Sequence, residues 1–197
     1  MTVFWRWVLE KLLDHLGKAL RASLAAAEAD QPVAWGKQVS PDFRRKAVAV
    51  AQRLGLDPST LMAVMAFETG RRFHPATVNR RSGATGLIQF MPKTAEALGT
   101  STRALAAMSD VRQLDFVEKY LRPYAGKMTD LPSAYMAVLW PVAVRKPLSH
   151  VLFAAGTAAY EQNKGLDADK DGKVTKAEAA AKVQRMLVEG MRPENYG

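Results

Sequence analysis

Leu61-Met-Ala-Val-Met-Ala-Phe-Glu68-Thr-Gly70 is an apolar run ending in a glutamate, followed shortly by the glycine-rich Ser82-Gly-Ala-Thr-Gly-Leu-Ile-Gln-Phe-Met-Pro92. The first part predicts a helix. Asp57 can cap its start, Pro58 suits the first helical position, and Gly70 supplies the stop. Leu61, Val64, Met65 and then Glu68 recur at helical spacing, so the glutamate lies on the apolar stripe. A carboxyl group facing apolar packing loses solvation, and desolvation raises its pKa. A general acid needs that shift to hold a proton near neutral pH. The alternative is a partly buried glutamate paired with one of the arginines between the two segments, Arg71, Arg72, Arg80 or Arg81. A guanidinium in contact would lower the pKa, so the acid reading requires those side chains to turn outward. His74, followed by Pro75 with no Ser or Cys nucleophile in view, reads as a structural or surface residue.

The glycines of the second part have a physical role. Gly83 and Gly86 let the backbone approach a ligand closely. A sugar chain needs such approach, because backbone N–H and C=O groups read its hydroxyl and acetamido groups. Gln89 offers both a donor and an acceptor. No lysine-plus-hydroxyl ending follows the glycines, which excludes a phosphate-binding loop.

Taken in order, Glu68-Thr69, Gly83, Gly86-Leu87, Gln89, Met91-Pro92 and Thr94-Ala95 resemble the catalytic module of soluble lytic transglycosylases and goose-type lysozymes. In that family a helix ends in Glu-Ser. A Gly-x-x-Gly-Leu-Met-Gln-x-Met-Pro-x-Thr-Ala stretch then folds under the substrate. Thr69 replaces the Ser here and keeps its hydroxyl; Ile88 replaces a Met. The resemblance runs roughly from Asp57 to Asn163. It implies a mainly α, lysozyme-like fold: a helical bundle around a substrate cleft, with an irregular or short β-like excursion after the catalytic helix. It implies Glu68 as the catalytic residue and Thr69, Gly86, Leu87 and Gln89 on the substrate side. Ala159-Tyr160 resembles the family's Ala-Tyr-Asn turn, which faces the glutamate across the cleft. Glu161 stands where the Asn would be, and Asn163 is the nearest substitute. Tyr160 is therefore expected to touch substrate or orient the glutamate, with a core tyrosine as the alternative.

The chain has 197 residues, 48% of them hydrophobic, enough for one domain with a small appendage. It contains no cysteine, which excludes disulfides and thiolate chemistry. A formal net charge of +9 favours a polyanionic target: nucleic acid, anionic lipid or acidic envelope polymers. The motifs select peptidoglycan among these, with no nucleic acid, and the expected state is a monomer. No run of about 18 uncharged apolar residues exists, so no segment is expected to span a membrane.

Three regions are expected: 1–35, an N-terminal amphipathic helix and linker; 36–164, the catalytic domain; and 165–197, a loop and C-terminal helix packed on it. Arg6, Glu10, Lys11 and Asp14 interrupt the apolar start, which argues against a secretion signal. Leu9, Leu13, Leu16, Leu20 and Leu24 recur at helical spacing after Trp5 and Trp7. This face is expected to pack on the body. Lys11, Lys18 and Arg21 keep a contact with an anionic envelope or membrane surface as the alternative. Asp30-Gln-Pro-Val-Ala-Trp-Gly36 reads as a linker. Helices follow from Phe43 to Leu54, from Lys93 to Leu98, from Val111 to Leu121 and from Ser133 to Trp140.

Asp167-Ala-Asp169-Lys-Asp171-Gly172-Lys173-Val-Thr175-Lys-Ala-Glu178 fits the twelve-residue EF-hand loop at each diagnostic position. Asp167, Asp169 and Asp171 supply oxygens, and Gly172 makes the turn. Lys173 offers its carbonyl, Thr175 the ninth position, and Glu178 the bidentate end. One Ca²⁺ is expected, structural rather than sensing because the loop is single. Lys170, Lys173 and Lys176 are expected to weaken the affinity.

The resemblance implies cleavage of the β-1,4 bond between N-acetylmuramic acid and N-acetylglucosamine. Glu68 would donate a proton to the leaving oxygen and then act as base. It would activate either the sugar's own 6-hydroxyl, giving a 1,6-anhydro end, or a water, giving a reducing end. A second carboxylate, Asp110 or Asp115, would favour hydrolysis. Two other classes stay open: an inactive peptidoglycan-binding module and a calcium-dependent interaction protein. A small basic wall-cleaving chain without a signal resembles phage endolysins and the wall-degrading, antimicrobial effectors of contractile secretion systems. Both are made in the cytoplasm and delivered to the wall.

Overall fold

The computed structural model describes residues 10–20, 23 and 30–197, and over these it is mainly helical. Residues 10–20 form α1. Leu12, Leu13, Leu16 and Leu20 on it are 54% to 63% exposed, so this face does not pack on the body as expected. Trp5, Trp7, Leu9 and Leu24, also assigned to that helix, lie outside the described residues.

The stretch read as a linker is core instead. Val33, Ala34 and Trp35 are buried. Val33 exchanges backbone hydrogen bonds with Gly197, and the Trp35 indole N–H donates to the Met186 carbonyl at 2.9 Å. Proline and glycine mark the bends here, but Val-Ala-Trp between them is apolar enough to fill a slot against the C-terminal helix.

α2 (Pro41–Leu54) starts at the Ser40 cap and ends at Gly55, whose φ is +68°. α3 (Pro58–Thr69) starts at Asp57, whose carboxylate accepts from the Thr60 N–H, and ends at Gly70 in the left-handed region. An apolar stripe is expected on α3, yet Leu61 to Ala66 are all buried. A helix apolar all round belongs in the middle of a bundle, and α3 packs against α2, α7 and α9. Glu68 sits where this central helix comes out of the core.

α4 (Pro92–Ala97), α5 (Thr102–Ala106) and α6 (Asp110–Leu121) follow the glycine-rich segment. Between α3 and α4, Thr85 bridges to Val78 and Phe90, which is the short β-like excursion. α7 (Leu131–Leu139) carries buried Ala134, Tyr135, Met136 and Ala137 toward α3. The segment at Val151–Ala154 is a strand, β1, before α8 (Ala158–Asn163). β1 pairs antiparallel with β2 (Lys173–Thr175), Phe153 opposite Val174, and α9 (Lys176–Gly190) follows directly. α9 lies along both α3 and α7, so the C-terminal segment shares the core of α3.

Candidate active site

Glu68 is half-buried at the last turn of α3. Among the described residues, no hydrogen bond or ion pair reaches its carboxyl. Burial alone pushes it up to about 8. The competing arginines point elsewhere. Arg71 places its guanidinium fork on Glu189 of α9, at 2.8 and 2.7 Å. Arg72, Arg80 and Arg81 are exposed. The outward turn that the acid reading requires is therefore present.

Two tyrosines lie within the field of Glu68. Tyr120 of α6 is half-buried, donates its hydroxyl to the Ala137 carbonyl at 2.9 Å, and is pushed up to about 12 by burial, Tyr124 and Glu68. Tyr135 of α7 is buried, meets Phe67 edge-on at 5.5 Å, and is raised by burial and by Glu68. Neither was singled out in the sequence. The signal was available: Ala134-Tyr135 is a second Ala-Tyr pair, with Met136 in the third place. Ala159-Tyr160, the pair expected to face the glutamate, is engaged elsewhere. The Tyr160 hydroxyl donates to Asp167 Oδ2 at 2.6 Å, in the acidic loop.

Other residues assigned to the substrate side serve the scaffold. Thr69 is fully buried, donates to the Met65 carbonyl at 2.6 Å, and accepts from the Phe73 N–H at 3.0 Å. Leu87 is fully buried, with its N–H on Gln113 Oε1 at 2.7 Å. Gly86 (φ +90°) is also buried, and a Cβ there would lie 2.3 Å from the same oxygen. Its missing side chain thus makes room for the buried Gln113 amide, which also donates to the carbonyls of Pro75 and Leu105. Gln113 is the organiser of the turn, and its place on α6 gave no local signal.

Gln89 closes the glycine turn on itself. It is half-buried at φ +52°, a strained conformation for a residue with a side chain. Its amide Nε2 donates to the Thr77 and Gly86 carbonyls, both at 3.0 Å, leaving its own carbonyl as the acceptor. Beside this turn, Asn79, Arg81, Ser82 and Met91 face Gln162 and Asn163 of α8 across a groove of about 450 Å³. α8 therefore borders the glycine-rich segment through Gln162 and Asn163 rather than through Tyr160.

The acidic loop forms a second cluster. Oxygens of Asp167, Asp169 and Asp171 converge within 4.8 Å. Backbone N–H groups of Lys170, Asp171, Gly172 and Lys173 turn inward onto these carboxylates, and Gly172 has φ +82°. Glu178 is held by Thr175 and by the Ala168 N–H at 2.9 Å. A hard cation takes carboxylate and carbonyl oxygens, so this donor set fits Ca²⁺.

Residues 47–137 match the family model of the Transglycosylase SLT domain. No curated protein and no solved structure matches the chain. The matched span holds Glu68, the glycine turn, Gln113, Tyr120 and Tyr135. It begins earlier than Asp57 and stops before Tyr160 and the acidic loop. Over that span the chain matches the transglycosylase SLT family, and the match supports a function of the lytic transglycosylase type on cell-wall peptidoglycan in general.

Proposed function

We propose that the chain cleaves the β-1,4 bond between N-acetylmuramic acid and N-acetylglucosamine with Glu68 as its single acid and base, leaving a 1,6-anhydro end. The observation that carries this reading is a carboxyl raised to about 8 with no charged partner. At neutral pH it holds a proton. The proton goes to the glycosidic oxygen, the C1–O bond breaks, and the sugar acquires oxocarbenium character. The carboxylate then takes the proton of the sugar's 6-hydroxyl as that oxygen bonds to C1. Glu68 ends protonated, and no water is consumed. Tyr120 and Tyr135 lie within the field of this carboxyl, and the groove between the glycine-rich segment and Gln162 and Asn163 is the surface we assign to the sugar chain.

A second carboxylate would favour the hydrolytic outcome, and both candidates are engaged elsewhere. Asp110 accepts from the Val111 N–H at 2.7 Å at the start of α6. Asp115 pairs with Lys46 at 2.7 Å. An inactive binding module would not need a desolvated glutamate. Glu68→Gln keeps the shape and removes the proton donor, so wall clearing should fall about 10²–10⁴-fold. Mass spectrometry of the muropeptides released by the unaltered chain should show anhydro ends. Equal clearing by the variant would remove Glu68 from its role, and reducing ends alone would overturn the intramolecular route.

We propose likewise that Asp167, Asp169, Asp171, the Lys173 carbonyl, Thr175 and Glu178 hold one Ca²⁺. The ion supplies the positive charge that lets three carboxylates share one loop. A purely calcium-dependent interaction protein is disfavoured, because α9 is committed to packing on the catalytic helix.

A further inference from the structure

The proposed reaction does not use α1. Its Leu12, Leu13, Leu16 and Leu20 are each more than half exposed. The body does not need this face: its packing closes at Val33 to Trp35, which bond to Gly190, Gly197 and Met186. An amphipathic helix with an uncovered leucine stripe must bury it elsewhere or leave it wet.

We infer that this leucine face lies in the surface of an anionic phospholipid bilayer. Two occupants compete, a second copy of the chain and a lipid surface. Leu9, Leu13, Leu16 and Leu20 do have the four-three-four spacing of a coiled-coil seam. Continued in the same register, however, the seam meets Thr2 and Arg6 on one side and Ser23 and Ala27 on the other. It is two heptads long, and a coiled coil needs about three or four. The same segment carries Phe4, Trp5 and Trp7 at one end, the residues that favour the membrane–water boundary.

Charge favours the anionic surface. Over residues 1–24, Arg6, Lys11, Lys18 and Arg21 outnumber Glu10 and Asp14, giving +2. The chain as a whole carries +9, so the body does not repel such a surface. Lys18 is already paired with Asp14 at 2.8 Å, whereas Lys11 is exposed and has no ion pair among the described residues.

The full chain should co-sediment with vesicles of phosphatidylcholine and phosphatidylglycerol and not with phosphatidylcholine alone. Raising the salt should release it. The double variant Leu13→Glu, Leu16→Glu should lose binding altogether, with an unchanged melting temperature, because these side chains pack on nothing in the body. Lys11→Gln should weaken binding about fivefold. Wall clearing should be equal for all three proteins, so the outcome is independent of the proposed reaction. Vesicle binding that survives the double variant would overturn the inference. So would an unaltered chain that ignores vesicles but sediments as a dimer, with the double variant monomeric.

Discussion

At the scale of single residues, Glu68 makes a claim about pH that can be checked twice. An unfolded glutamate titrates near 4.5, and the folded one is pushed up to about 8 by burial. Between those values the folded chain keeps a proton that the unfolded chain has released. Folding is therefore favoured by acid, and this contribution declines as pH rises from about 4.5 to about 8, then levels off. Glu68→Gln removes the titration. The melting-temperature advantage of the variant should be near zero at pH 4.5 and widen steadily up to pH 8. The underlying slope is at most about 1.4 kcal/mol per pH unit, reduced because the carboxyl is partly open to the cleft. In the same window the activity of the unaltered chain should hold, and it should fall above about pH 8 as the acid ionises. A constant difference between the two melting curves would mean that Glu68 titrates like a free carboxyl.

At the scale of elements, the C-terminal loop is tied to α3 rather than hung beside it. On its own, the acidic loop would leave the backbone of its short strand unpaired. Here β1 supplies the partner, and Phe153 covers Val174. Lys176, next along, is buried and donates to Ser133 Oγ and to the carbonyls of Ala143, Val144 and Lys146. Burial lowers its pKa, with Asp130 opposing. Ser133 lies on α7, two positions before Tyr135, and α9 runs on along α3. An ion that stiffens the loop should thus stiffen the whole domain. At a hundredfold excess over its dissociation constant, Ca²⁺ should add about 2.7 kcal/mol, or roughly 5–10 °C in melting temperature. Asp167→Ala should abolish that rise. A calcium-independent melt of the unaltered chain would remove the ion from the loop.

At the scale of the molecule, what was legible in the sequence is what depends on neighbours along the chain. Asp57, Pro58 and Gly70 bound α3 as expected, because caps and stops act within a turn. The turn at Gly172, with φ +82°, was readable for the same reason. The failures were long-range. Thr69 and Leu87 looked like site residues because they adjoin Glu68 and Gly86, yet both point into the core. Tyr135 was missed because only the approach of α7 to α3 brings it to Glu68. Val33 to Trp35 looked like a linker because their partners lie at the other end of the chain. That last contact gives a test of how the body closes. A Cβ on Gly190 would lie 2.5 Å from the Trp35 ring and 2.9 Å from the Ala34 side chain. Neither ring nor backbone has room to yield, since Trp35 is pinned by its indole N–H to Met186 and by its backbone N–H to Gly190. Overpacking of this kind destabilises by about 1–3 kcal/mol. Gly190→Ala should therefore lower the melting temperature by roughly 3–10 °C, although alanine is the better helix former. Deleting residues 1–29, by contrast, should leave it unchanged, because α1 lies outside the packed body. If Gly190→Ala raised the melting temperature instead, helix propensity would outweigh the clash, and the seam between Trp35 and α9 would be looser than its hydrogen bonds imply.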